Sequence, residues 1–219
     1  MSIRRFVSAL AAASLATGAV VAFAPGASAT ARTASAPTGT TSLAAVLASD
    51  GNTFDRNWYD FDILDQAVGA VLAAKPDSPV AVLADGTVPL TAFIPTDRAF
   101  QLLAHDLTHR WYSSEQRVLT ALAGAVGVDA IEQVLLYHVV PGATIDSKTA
   151  LASDNAVLTT AQGGTIKVDV LSKRFGLVRL IDKDRNDVNP FLIPCKLDIN
   201  KGNKQIAHAI TFVLRPVDL

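Results

Sequence analysis

The spacing of apolar positions divides this chain into two regimes. From residue 60 to about 138 the apolar residues recur with a helical period. From about 156 onward they alternate or run continuously, as strands do. Phe61, Leu64, Ala67, Val68, Val71 and Leu72 form one stripe. Asp60 is a candidate N-cap for it, Asp62 and Asp65 suit its first turn, and Pro76 ends it. "VAVLADGTVPLTAFI" reads as two apolar runs about Asp85-Gly86, a hairpin pattern whose start Pro89 assigns to a sheet edge. "PTDRAFQLLAHDL" passes from strand to helix, with Thr96 as cap and Phe100, Leu103 and Leu107 as stripe. Ser113 and Gln116 have the spacing of a capping box for a helix burying Val118, Leu119, Leu122 and Val126. A further helix starts at Asp129, carries Ile131, Val134 and Leu135, runs into Tyr137-His138 and is ended by Pro141-Gly142.

The last third reads as strand, glycine turn, strand through "AVLTT", "AQGGT" and "IKVDV", with "LVRLID" as a further strand. "QIAHAITFVL" is apolar on both faces, which predicts an internal strand. Helices first and strands later predict an α+β domain, a twisted sheet or sandwich with helices on one side.

The N-terminus has another character. "MSIRRF" is positively charged, the following stretch is uncharged and apolar, and Ala27-Ser28-Ala29 has the small-residue pattern of a cleavage site. This predicts a signal peptide over residues 1–29 and an exported product. The small polar residues 30–42 read as a flexible linker, and residues 43–219 as one domain. Of 219 residues 50% are hydrophobic, enough for one sizeable core. No apolar tail ends the chain, so no membrane span is expected after signal cleavage. Removing Arg4 and Arg5 from the 19 basic residues leaves 17 against 20 acidic ones, a net charge of −3. That balance argues against nucleic acid as a partner. Cys195 is the single cysteine, so no intramolecular disulfide forms, and a buried, inert thiol is expected.

Three stretches in order carry a family resemblance. "LTAFIPTDRAF" (90–100) resembles the first box of fasciclin domains, a strand entering a Pro-Thr-Asp turn and then a helix with Ala-Phe. "LLYHVVPG" (135–142) resembles their central Tyr-His segment, and "QIAHAITFVLRP" (205–216) their second box. Lys204-Gln205 stands where the family has Asn-Gly, Thr211 where it has Asp, and residues 105–117 make a longer stretch than usual. The resemblance implies a wedge-shaped β-sandwich with packed helices and an extracellular adhesion module with no enzymatic activity. It implies an extracellular protein, cell-wall or polysaccharide partner, met through Leu135, Leu136, Tyr137, His138, Val139 and Val140. Some members bind apolar small molecules, so a carrier role stays open.

The residues offer few rival chemistries. His105 and His109 stand at i and i+4, as in zinc hydrolases, but aspartate follows the first histidine and no third ligand lies at a recognised spacing. "DKDRND" (182–187) resembles the start of a calcium loop, but Asp187 and Ile193 occupy its glycine and glutamate positions, so an acidic turn is expected. No Gly-x-Ser-x-Gly elbow is present, and no motif requires a cofactor or a metal. His138 and His208 lie in apolar runs, where an imidazole is expected to stay neutral and hydrogen-bonded. For His138 the candidate partner is a backbone group or the Thr96-Asp97 turn.

Overall fold

In the computed structural model, residues 37–51 and 53–217 are described. The predicted signal peptide and residues 30–36 of the predicted linker lie outside them. Among the described residues six strands form two three-stranded sheets. In the first, β1 (Leu90–Pro95) is central, antiparallel to β2 (Val139–Pro141) and parallel to β6 (Gln205–Ile210). The second is an antiparallel meander of β3 (Val157–Thr159), β4 (Thr165–Ser172) and β5 (Leu177–Ile181). Among the described residues the α-helices are α1 (Leu43–Leu47), α2 (Asp62–Ala74), α3 (Asp97–Thr108), α4 (Glu115–Tyr137) and α5 (Ser147–Ala152). The architecture is α+β, as the sequence predicts.

Alternation along β1 and β6 builds two cores on opposite faces of one sheet. Ala92, Ile94, Ala207 and Ala209 face α2, α3 and α4, and the three alanines let the helices approach closely. Phe93 and Ile210 face the second sheet, meeting Ile166, Val168, Val178 and Leu180. Every residue of β6 is buried. Its outer edge has no named strand as a neighbour; isolated bridges from Leu192 and Ile199 cover it instead.

Several expectations are corrected. Residues Pro79–Ala84 form a 3₁₀ helix rather than the first arm of a hairpin. Ser78 opens that helix, its hydroxyl accepting from Val80 N–H at 3.3 Å. Gly86 meets a different need: a Cβ there would lie 1.8 Å from the Thr40 carbonyl oxygen. Pro89 precedes a central strand rather than an edge one, and its carbonyl accepts from Gly142 N–H. The strand can follow because Pro89 sits outside the ladder, where no N–H is demanded of it. Residues 39–42 do not hang free: Gly39 pairs with Asn203, and Thr41 N–H donates to the Asn203 side chain at 3.0 Å. The helix beyond residue 113 is capped at Ser114 with no side-chain bond, so the expected Ser113–Gln116 box does not form.

By length and composition α4 passes for a membrane-spanning helix. Gly127, at φ 79° and ψ 167°, breaks it. The two halves are about 18 and 15 Å long, well short of the roughly 30 Å hydrocarbon layer. Both expected helices are thus present, joined at a glycine in left-handed φ space. Cys195 is exposed, contrary to expectation, because Pro194–Lys196 forms a 3₁₀ turn at the surface.

Candidate functional site

The Tyr-His segment lies where α4 hands over to β2. His138 is the C-cap of the helix and is 4% exposed. Its Nδ1 lies 2.7 Å from the Val134 carbonyl oxygen, and its Nε2 accepts from Leu214 N–H at 2.9 Å. Because Leu214 can only donate, Nε2 carries no hydrogen and Nδ1–H donates to Val134. The neutral ring thus satisfies one of the orphan carbonyls at the end of α4 and one N–H of the C-terminal segment. Burial lowers its pKa to about 4 against the Val134 bond, which favours the charged ring. His208 repeats the arrangement, with Nε2 against the Ile145 carbonyl at 2.8 Å and Nδ1 accepting from Asp198 N–H at 3.2 Å. Burial lowers its pKa as well.

Tyr137 is fully buried, and its hydroxyl donates to the Thr165 carbonyl at 2.7 Å. Its ring lies on the β3–β4 turn, where a Cβ at Gly164 would come within 2.8 Å of it. The two glycines of "AQGGT" therefore differ: Gly163 adopts φ +94°, and Gly164 makes room for the ring. Burial pushes the phenol pKa up.

Leu135, Leu136, Tyr137, His138, Val139 and Val140 are each at most 5% exposed. These six side chains, expected to meet a partner, are thus buried in the folded domain. Leu135 borders an open cavity beside α4, and the segment as a whole lies between the helix layer and the second sheet.

Thr96 and Asp97 are not partners of His138. Thr96 sits at the N-cap of α3 with no side-chain cap bond. The two oxygens of Asp97 accept from Asp62 N–H at 3.2 Å and Ile63 N–H at 2.8 Å, so Asp97 caps α2, the role expected of Asp60. In return, Asp97 and Arg98 N–H donate to the Asp60 and Trp58 carbonyls. The starts of the two helices hold each other. Burial and the adjoining Asp60 carboxyl push Asp97 up to about 9, against the two N–H groups that favour its charged form.

The acidic turn at 182–187 closes around a cation from the chain itself. Arg215, 6% exposed, reaches Asp184 at 3.3 Å, Asp187 at 2.7 Å and Asp106 at 2.8 Å. Its backbone N–H donates to Asp182 at 2.8 Å. Burial raises the Asp182 carboxyl to about 6. His105 stacks on the Trp111 indole at 4.1 Å between ring centroids, and Arg98 lies over the same indole. His109 is the C-cap of α3 in left-handed conformation. Among the described residues neither histidine joins a cluster of three metal-ligating side chains.

The feature that sequence reasoning missed is an open apolar cavity of about 280 Å³ between α3, α4 and the C-terminal Pro216-Val217. Leu107, Leu119, Val126, Ala130, Ile131 and Val134 line it, with Gln133 and Gln162 as its polar groups. A signal was present in the sequence: α4 carries apolar residues around its whole circumference, more than one packed face can bury.

A family model of the fasciclin domain matches residues 66–189. The chain belongs to the fasciclin domain family. Its fold is also similar to a pair of such domains from the insect cell adhesion molecule fasciclin I. The TM-score is 0.53 at 17% identity, over 81% of this chain and 51% of that one. The chain thus spans about half the length of that domain pair. No curated protein matches it in sequence. The family match stops before the third sequence box, whose strand β6 nonetheless pairs along the whole length of β1.

Proposed function

We propose that this fasciclin domain is a secreted, non-enzymatic binding module that acts in adhesion by anchoring an extracellular protein. Family membership and the N-terminal leader pattern support the general class. The observation that carries the specific reading is the cavity beside α4. It is open, its lining is almost wholly apolar, and it borders the Tyr-His segment at Leu135. Such a lining suits an apolar side chain of a protein partner and offers few hydrogen bonds to a polysaccharide. An anchor side chain in a desolvated pocket is the usual energetic centre of an interface. Ala130 lines the cavity and is half-buried, so Ala130→Trp fills the space without opening a core. The variant is expected to melt like the parent and to lose the partner. Retention of the partner by a folded Ala130→Trp chain removes the cavity from the account.

The same cavity favours a second reading, a carrier of a small apolar ligand. Its volume is about twice the roughly 150 Å³ that accommodates benzene in an engineered core. It falls just below the usual range of about 300–1,000 Å³ for ligand pockets. Native mass spectrometry of gently extracted protein separates the two. A bound apolar mass supports the carrier, and its absence leaves the protein partner.

A further inference from the structure

Buried carboxylates in this fold are matched by cations at two places: Glu132 pairs with Lys75, and Asp184 with Arg215. A third place differs. Asp55, Asp60 and Glu115 converge where the segment before α2 meets the start of α4, and one oxygen from each lies within 4.8 Å of the others. Glu115 is fully buried. Its Oε2 accepts from Asp55 N–H at 2.7 Å, while its Oε1 has no hydrogen-bond partner among the described residues. Oδ1 of Asp60, also shielded from solvent, has none either. Among the described residues no lysine, arginine or histidine pairs with Asp55, Asp60 or Glu115. Buried carboxylate oxygens left in this state are costly unless a proton or a cation joins them.

The donor set narrows the ion. Three carboxylate oxygens suit a hard cation, and calcium accepts oxygens in irregular geometry with water filling the rest. Magnesium holds its oxygens at about 2.0–2.1 Å in a strict octahedron, and zinc favours nitrogen and sulfur. We propose that Asp55, Asp60 and Glu115 form a calcium site, with water completing the coordination from the side of exposed Asp55. Asp97 stands in an adjoining group with Asp60 and Asp62, and its oxygens accept the N–H groups that open α2. The ion fastens the irregular segment 53–61 to the first turn of α4, and so steadies the entry to α2. It is independent of the acidic turn at 182–187, where Arg215 already supplies the charge.

The test uses the full chain stripped with chelator. Calcium is added at constant ionic strength while melting is followed, and terbium luminescence is excited through Trp58, which lies between Asp55 and Asp60 in sequence. A saturable rise in melting temperature and terbium emission displaced by calcium are expected. Asp55→Asn alters an exposed side chain and so tests the site without endangering the fold. It should weaken calcium binding about tenfold, and Glu115→Gln should do at least as much. The proposal is overturned if the parent responds to calcium by neither readout, or if both variants bind as tightly as the parent. An equal response to magnesium overturns the choice of calcium.

Discussion

His138 is the side chain whose removal the structure translates most directly into a measurable cost. Its ring ties the Val134 carbonyl at the end of α4 to the Leu214 N–H of the segment that follows β6. His138→Ala leaves both backbone groups without a partner, and Leu214 is fully buried. An unsatisfied buried group costs about 1–3 kcal/mol. Two such groups and the space left by the ring give about 2–5 kcal/mol, part of it recovered if water enters. For a chain of this size that is a fall in melting temperature on the order of 10 °C. His138→Phe separates the causes, because it fills the space and makes neither bond. Urea unfolding of the parent and both variants is the assay. pH gives an independent signature. The unfolded chain takes up the His138 proton near pH 6.5, the folded chain only near pH 4. Unfolding therefore binds a proton between these values, and stability falls as pH drops from 6.5 to 4. The contribution is on the order of 3 kcal/mol. It is fully present above pH 6.5 and missing from His138→Phe. If His138→Phe matches the parent in both stability and pH dependence, the two hydrogen bonds do not hold this corner. If His138→Ala melts like the parent yet loses the partner, the residue serves recognition instead.

Three further outcomes follow from individual contacts. Gly164→Ala should destabilise by about 1–3 kcal/mol, because its Cβ would meet the Tyr137 ring at 2.8 Å; unchanged urea unfolding would show that the ring shifts freely. Arg215→Met leaves Asp184 buried without its cation and should cost about 3–5 kcal/mol at neutral pH, a deficit that shrinks in acid as the carboxylates protonate. A deficit independent of pH would contradict the ionic reading. Cys195 should react with one equivalent of a thiol reagent in the native protein, and a requirement for denaturant would contradict its exposure.

The parts legible in the sequence are those fixed by local pattern. The β4 alternation, the glycine turn before it and the three family boxes give the meander, the helix–strand corner and the fold class. The parts that were not legible depend on residues far apart in the chain. Asp97 caps α2 from a position 35 residues beyond Asp62. Arg215 neutralises a turn some thirty residues earlier. The run "PVAVLA" is short and apolar, and such a run does not declare itself strand or 3₁₀ helix. Tyr137 and His138 stand out in the sequence as polar groups in an apolar run, but their burial follows only from a second sheet closing over the first. The cavity arises where Gly127 breaks α4 and leaves its apolar circumference partly uncovered, a result of packing that periodicity alone does not report.

The most direct test of the binding function is a cross-linked capture of surface proteins from the source cells, run with the full chain and with Ala130→Trp. The account predicts a protein retained by the parent and lost by the folded variant. The same proteins on both, or none on either, would contradict it.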